Sequence, residues 1–153
     1  MRLNLISALT RPMLAAIAPM QGRQGGGVGP EGLLPRAEAS RFASRLLKIN
    51  DASGRAVAAI WIDVDRFRQL NDTFGHGCGD QIIGVLASRI QSVSPAGSHC
   101  FRMGIDEFLL LLTAESVTGT EQLAARIGQV LEQALSVQGV HVHVTASMGL
   151  HHS

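Results

Sequence analysis

At Phe101 to Leu112 the chain reads FRMGIDEFLLLL, two apolar runs that meet at a glycine followed by the adjacent acids Asp106 and Glu107. His99 to Met103 and Phe108 to Leu112 are each about one strand long. Gly104 offers the backbone freedom of a tight reversal, so a hairpin is predicted with both acids at or just past its tip. Acidic residues are poor strand formers, and their position between two hydrophobic strands calls for a reason. An isolated pair of this kind is a solvated turn. Here it has company, because Ala56 to Val64, AVAAIWIDV, runs into Asp63-Val64-Asp65. Asp65 has an ordinary role open to it as the cap of a following helix. Asp63, still inside the strand, does not. Three carboxylates at adjoining strand ends repel one another unless a cation neutralises them. Hard oxygen ligands with open positions suit Mg²⁺ (or Mn²⁺) held partly by substrate phosphates. Two such ions stabilise an attacking and a leaving oxygen together, which is the chemistry of nucleotidyl transfer.

The elements that must position these acids follow from periodicity. Ala56 to Val64 is continuously apolar with β-branched and aromatic members, as in a strand buried on both faces. Phe42, Leu46 and Leu47 recur at helical spacing from Arg36 to Leu47, and DASG at 51 to 54 ends that helix. Asp65 to Phe74 reads as a helix with Phe67 and Leu70 on one face. A glycine-rich loop follows at 75 to 79, and Asp80 caps a further helix through Ile82, Ile83, Leu86 and Ile90 to about Val93. Thr118 to Ser136 is helical, closed by Gln138-Gly139. Val140 to Leu150 alternates as one strand with His141 and His143 on one face, a pair that reads as a solvated face because no third ligand is nearby. From Ala56 the order is strand, helices, strand, hairpin, strand, helix, strand. This is an α+β sandwich of the ferredoxin-like βαββαβ, palm-type kind, with the first strand and the hairpin side by side at the centre, bringing Asp63 towards Asp106 and Glu107.

Composition bounds the alternatives. With 153 residues, 46% of them apolar, the chain fills one core of ordinary size. A net charge of +1 without a block of Lys or Arg argues against a nucleic-acid surface. Cys78 and Cys100 lack metal-type spacing and read as reduced thiols of a cytoplasmic protein. Asn4, Thr10, Arg11 and Pro12 interrupt the apolar start of the chain, so residues 1–29 read as a frayed or helical segment with a Gly-rich linker at 21–29, neither a secretory signal nor a membrane span. The folded domain is expected to begin near Pro30.

From about Gly32 to Leu150 the chain resembles the GGDEF domains of diguanylate cyclases. GLLPR at 32 to 36, IDVDRFRQLNDTFGHGCGD at 62 to 80, RMGIDEF at 102 to 108 and VTASMGL at 144 to 150 are similar to that family's motifs in the right order, and the second of these is highly specific. The resemblance implies a homodimer in which each 3′-hydroxyl attacks the α-phosphate of the other GTP to make cyclic di-GMP. By position, Asp63, the Val64 carbonyl, Asp106 and Glu107 are implied metal ligands, and Asp106 also accepts the hydroxyl proton. Arg68 stands where the family has a phosphate-stabilising Lys. Asn71 and Asp80 are the implied guanine-reading pair, and Gly104 the glycine that borders substrate. Taken by themselves, Asn71 reads as a solvent-facing helix residue and Asp80 as a helix cap.

Three departures accompany the resemblance. Ile105 replaces the second glycine of the signature, where a β-branched side chain at a positive-φ turn would be strained and would take up ligand space. The family's next segment, a basic phosphate-clamping helix and a last strand, does not follow within the sequence, so the domain expected over 30–153 lacks both. PAGS at 95 to 98 stands where a product-inhibition RxxD motif is expected. Two readings remain open: a diguanylate cyclase, and a degenerate GGDEF module that regulates by binding GTP, a protein partner or a linked phosphodiesterase-type domain.

Overall fold

The structure, a computed structural model, describes residues 2–4 and 33–153. In chain order its elements are β1 (Arg2–Asn4), β2 (Leu34–Pro35), α1 (Arg36–Ser53), β3 (Ala56–Val64), α2 (Phe67–Phe74), α3 (His76–Val93), β4 (His99–Arg102), β5 (Glu107–Ala114), α4 (Val117–Leu131), β6 (Leu135–Val137), β7 (Val140–Val142) and β8 (Ala146–His152). Six strands form one sheet in the order β1-β8-β3-β5-β4-β2. The inner order β8-β3-β5-β4 is that of the expected ferredoxin-like palm. Strand β3 lies antiparallel to both β5 and β8, and β1 adds parallel to β8. Apart from β1, the N-terminal segment and the Gly-rich linker lie outside the described residues.

Strand β3 is apolar on both sides because both of its faces are covered. Ala58, Ile60, Ile62 and Val64 enter a core with Ile82, Ile83, Leu86 and Ile90 of α3 and Leu123, Ile127 and Leu131 of α4. Ala59 and Trp61 turn to the other face, where Ala39 and Ala43 of α1 meet Phe101, Leu109 and Leu111. Fully burying each large side chain contributes roughly 1.5–3 kcal/mol, so the central strand is the best anchored part of the fold. Helix α1 ends at Gly54, whose φ of 66° is the left-handed cap that DASG foretells. Its last helical residue, Ser53, lies within that DASG stretch.

Three boundaries differ from expectation for physical reasons. The loop expected at 75–79 is helical from His76, with Gly75 at a positive φ of 87° as the N-cap, so Asp80 is an interior residue of α3 and not its cap. Helix α4 stops at Leu131, where the Arg89 guanidinium donates to the Leu131, Gln133 and Ala134 carbonyls and so satisfies the helix end. The single strand expected over 140–150 is two. Gln138 and Gly139 both take positive φ, 51° and 77°, and this two-residue turn folds β7 back on β6 as a separate ribbon. His141 and His143 are both exposed, His141 opposite Ser136 in that ribbon.

Candidate functional site

The register places Asp63 opposite Glu107 on β5 and opposite Ser147 on β8, so these side chains share one face across three strands. One residue on, the Val64 amide donates to the Asp106 carbonyl at 3.0 Å. The end of β3 and the turn that carries Asp106 are thereby joined by main chain. Asp63 is half-buried, and its carboxyl is raised above the usual carboxylate range, first by desolvation and then by the negative charges of Asp106, Glu107 and Asp65. The clustering of acids expected from the two motifs is therefore present in the fold.

The turn itself is held from three sides. The Met103 amide donates to the Glu107 carbonyl at 2.9 Å. Arg102 donates from Nε to the Gly104 carbonyl and from Nη2 to the Ile105 carbonyl, each at 3.2 Å, and Arg36 reaches the Met103 carbonyl at 3.4 Å. Neither Gly104 nor Ile105 has a positive φ. The strain expected at Ile105 is therefore absent. Its side chain projects from the turn 67% exposed. A Cβ on Gly104 would come within 2.8 Å of Glu107 Oε2, the far end of a flexible side chain that can turn away.

Helices α2 and α3 carry the other predicted residues. Asn71 is buried, not solvent-facing, and its Oδ1 has no hydrogen-bond partner. That oxygen packs against Gly79, at a place that a side chain on Gly79 would occupy. The next residue, Asp80, is exposed, as is Arg68 on α2. Asn71 Oδ1 is thus a buried acceptor without a protein partner, packed against the residue that precedes the exposed Asp80 on α3.

Among the described residues no three His, Cys, Asp or Glu side chains form a ready-made metal cage. The donors present are hard oxygens in an acidic patch, a set that fits a divalent cation completed by phosphate oxygens better than one held by protein alone. Cys78 and Cys100 are free and buried, and burial pushes the Cys100 thiol up to about 12. No described helix is long and apolar enough to cross a membrane.

Sequence reasoning missed the partners of Asp65. Its carboxylate does not cap α2, whose N-cap is Arg66 in a left-handed conformation without a capping bond. Instead it accepts from Thr145 Oγ1 at 2.6 Å and from Ser147 Oγ at 2.7 Å. The VTAS stretch carried that signal, but only as part of a motif without an assigned role.

The family model described as diguanylate cyclase, GGDEF domain, matches residues 32–153. An uncharacterized signaling protein of Caulobacter vibrioides is 32% identical over 124 residues, 80% of this chain and 15% of that protein. Diguanylate cyclase VdcA of Vibrio cholerae is 37% identical over 81 residues, 53% of this chain and 24% of its own length. The chain thus spans less than a quarter of the length of these curated relatives. Among solved structures, a sensory box/GGDEF family protein from Caulobacter crescentus superposes with a TM-score of 0.75 at 31% identity, over 79% of both chains.

Proposed function

This chain belongs to the GGDEF family of diguanylate cyclase domains of cyclic di-GMP signalling, and we propose that its acidic strand ends bind GTP with a divalent cation for nucleotidyl transfer. The observation that carries this reading is the opposition of Asp63 and Glu107, with the Val64 amide tied to the Asp106 carbonyl. Asp63, the Val64 carbonyl, Asp106 and Glu107 would hold Mg²⁺ or Mn²⁺. Bound there, the ion supplies charge neutralisation for the phosphates and for the attacking oxygen. Asp106 takes the proton of the 3′-hydroxyl. Arg68 places a positive charge towards the phosphates, with a planar guanidinium in place of an ammonium. Asn71 and Asp80 present an amide and a carboxylate to the guanine edge, and Gly104 lets the chain border the nucleotide closely.

In the complete reaction the 3′-oxygen of one GTP bonds to the α-phosphorus of the other, the bond to the diphosphate oxygen breaks, and the second linkage forms in the same way. Two diphosphates leave with cyclic di-GMP. One domain offers one nucleotide site, so the reaction requires a homodimer, working in the cytoplasm where GTP is supplied. Ile105 favours a second reading. An apolar side chain 67% exposed at the signature turn suits a regulatory module that binds GTP or a signalling partner, such as a linked phosphodiesterase-type domain, without turnover.

The deciding experiment incubates the purified chain with GTP and Mg²⁺ or Mn²⁺ and follows cyclic di-GMP by chromatography, with Asp106→Ala as the blank and Ile105→Gly alongside. Product that vanishes in the Asp106 variant establishes the cyclase. Turnover by the Ile105→Gly protein alone supports the regulatory module, and a parallel titration that finds no nucleotide binding by any of them overturns the cyclase and the GTP-binding module, leaving only a module that binds a protein partner.

A further inference from the structure

The motif DVD at 63 to 65 contains two carboxylates, and they face different surroundings. Asp63 lies opposite Glu107 in the acidic row, whereas Asp65 is bonded to the segment that enters β8. Each oxygen of the Asp65 carboxylate accepts one hydroxyl, Oδ2 from Thr145 at 2.6 Å and Oδ1 from Ser147 at 2.7 Å. Its amide donates to the Thr145 carbonyl at 2.9 Å. These are three bonds from one residue to partners about 80 positions away in the chain, two of them of the short, charge-assisted kind. They occupy Asp65 and leave Asp63 as the free ligand.

What this arrangement holds is the ligand-bearing end of β3. Directly after Asp65, Arg66 adopts φ 58°, a left-handed conformation that a non-glycine residue keeps only where its surroundings enforce it. Directly before it, the Val64 amide is bonded to the Asp106 carbonyl. A continuous series of bonds thus runs from Thr145 and Ser147 through Asp65 and Val64 to the signature turn. We infer that Asp65, Thr145 and Ser147 are positioning residues, a clamp between β8 and β3 that fixes Asp63 and the Val64 carbonyl relative to Asp106. Sites for hard cations tolerate little displacement of their donors, and the groups that orient the ligands carry much of the affinity. The inference rests on the cation site proposed above, and it gives the Thr and Ser of the VTAS stretch a role in that site.

The test compares Thr145→Val/Ser147→Ala, which removes both hydroxyls, with Thr145→Ser, which keeps them. Amide hydrogen exchange in the metal-free protein and Mn²⁺ binding in the presence of GTP are both measured. In the double variant the Val64 and Asp65 amides are expected to exchange faster while Ala58 and Ile60 are unchanged, and Mn²⁺ affinity is expected to fall about tenfold. Thr145→Ser is expected to behave as the native chain. Ser147→Ala alone, which leaves the Thr145 bonds in place, should fall between and serves if the double variant does not fold. Unchanged exchange at Val64, a uniform rise along β3, or faster exchange with unaltered Mn²⁺ affinity would each overturn the clamp. Failure of the native chain to take up Mn²⁺ would sink the proposed function, and the exchange pattern would then decide the clamp by itself.

Discussion

The Val64 amide and the Asp106 carbonyl, 42 positions apart in the chain, are joined by a 3.0 Å hydrogen bond. Main chain and not side chain therefore couples the end of β3 to the signature turn. The Asp106 carboxylate can be removed without breaking this link. Asp106→Ala is expected to keep the native unfolding transition within about 0.5 kcal/mol, as for most substitutions away from a packed core, while losing Mn²⁺ uptake and any turnover. Thermal unfolding beside an Mn²⁺ titration checks this; a large loss of stability would show that the side chain itself holds the turn.

Asp63 supplies a pH dependence with a definite sign. Its carboxyl is raised from 3.8 by burial and by neighbouring acids, so over the pH range just above that value the folded chain holds a proton that the unfolded chain has lost. The stabilising contribution of the protonated form is complete below 3.8 and is lost as pH rises through the raised value. At neutral pH the ionised group burdens the metal-free fold. Asp63→Asn is accordingly expected to unfold at a higher temperature than the native chain at pH 7 without metal, with the advantage fading as pH falls through the raised value and gone below 3.8. Mn²⁺ with GTP should reverse the ranking, because the variant has lost a ligand.

A methyl group placed on Gly79 would overlap Asn71 Oδ1, lie 2.9 Å from Asn71 Cγ and approach the Phe67 ring to 3.2 Å. Gly79→Ala is expected to destabilise by about 1–3 kcal/mol, the usual penalty of overpacking. Adding Asn71→Ala should restore part of that loss, because the clashing atom is also a buried acceptor without a partner. A double-mutant cycle of unfolding free energies measures the coupling, and additive losses would place the contact elsewhere.

Ile105 sits at the turn tip without positive φ and 67% exposed. Ile105→Gly therefore relieves no strain and should lower stability by about 0.4–1 kcal/mol through the added freedom of the unfolded chain. If the side chain obstructs the nucleotide, GTP affinity rises in the same variant. A rise in unfolding temperature would restore backbone strain as the lesion.

Much of the fold was legible because burial leaves a period in the chain. The unbroken apolar run of AVAAIWIDV announced a strand covered on both faces, and the runs flanking Gly104 announced a hairpin beside it, which together put Asp63 near Asp106 and Glu107. The start of α3 and the β6–β7 ribbon were not legible. Glycines in HGCGD look like a loop until Asn71 is packed against Gly79, and the alternation of VHVHV does not tell one strand from a turn followed by another. Asp65 is the clearest case. Its type and position fit a helix cap as well as an interstrand bond, and a carboxylate chooses between them by which donors lie within hydrogen-bonding distance. Local sequence determined that an acid would stand at the end of β3; only the tertiary register, by setting Thr145 and Ser147 beside it, decided what that acid would hold.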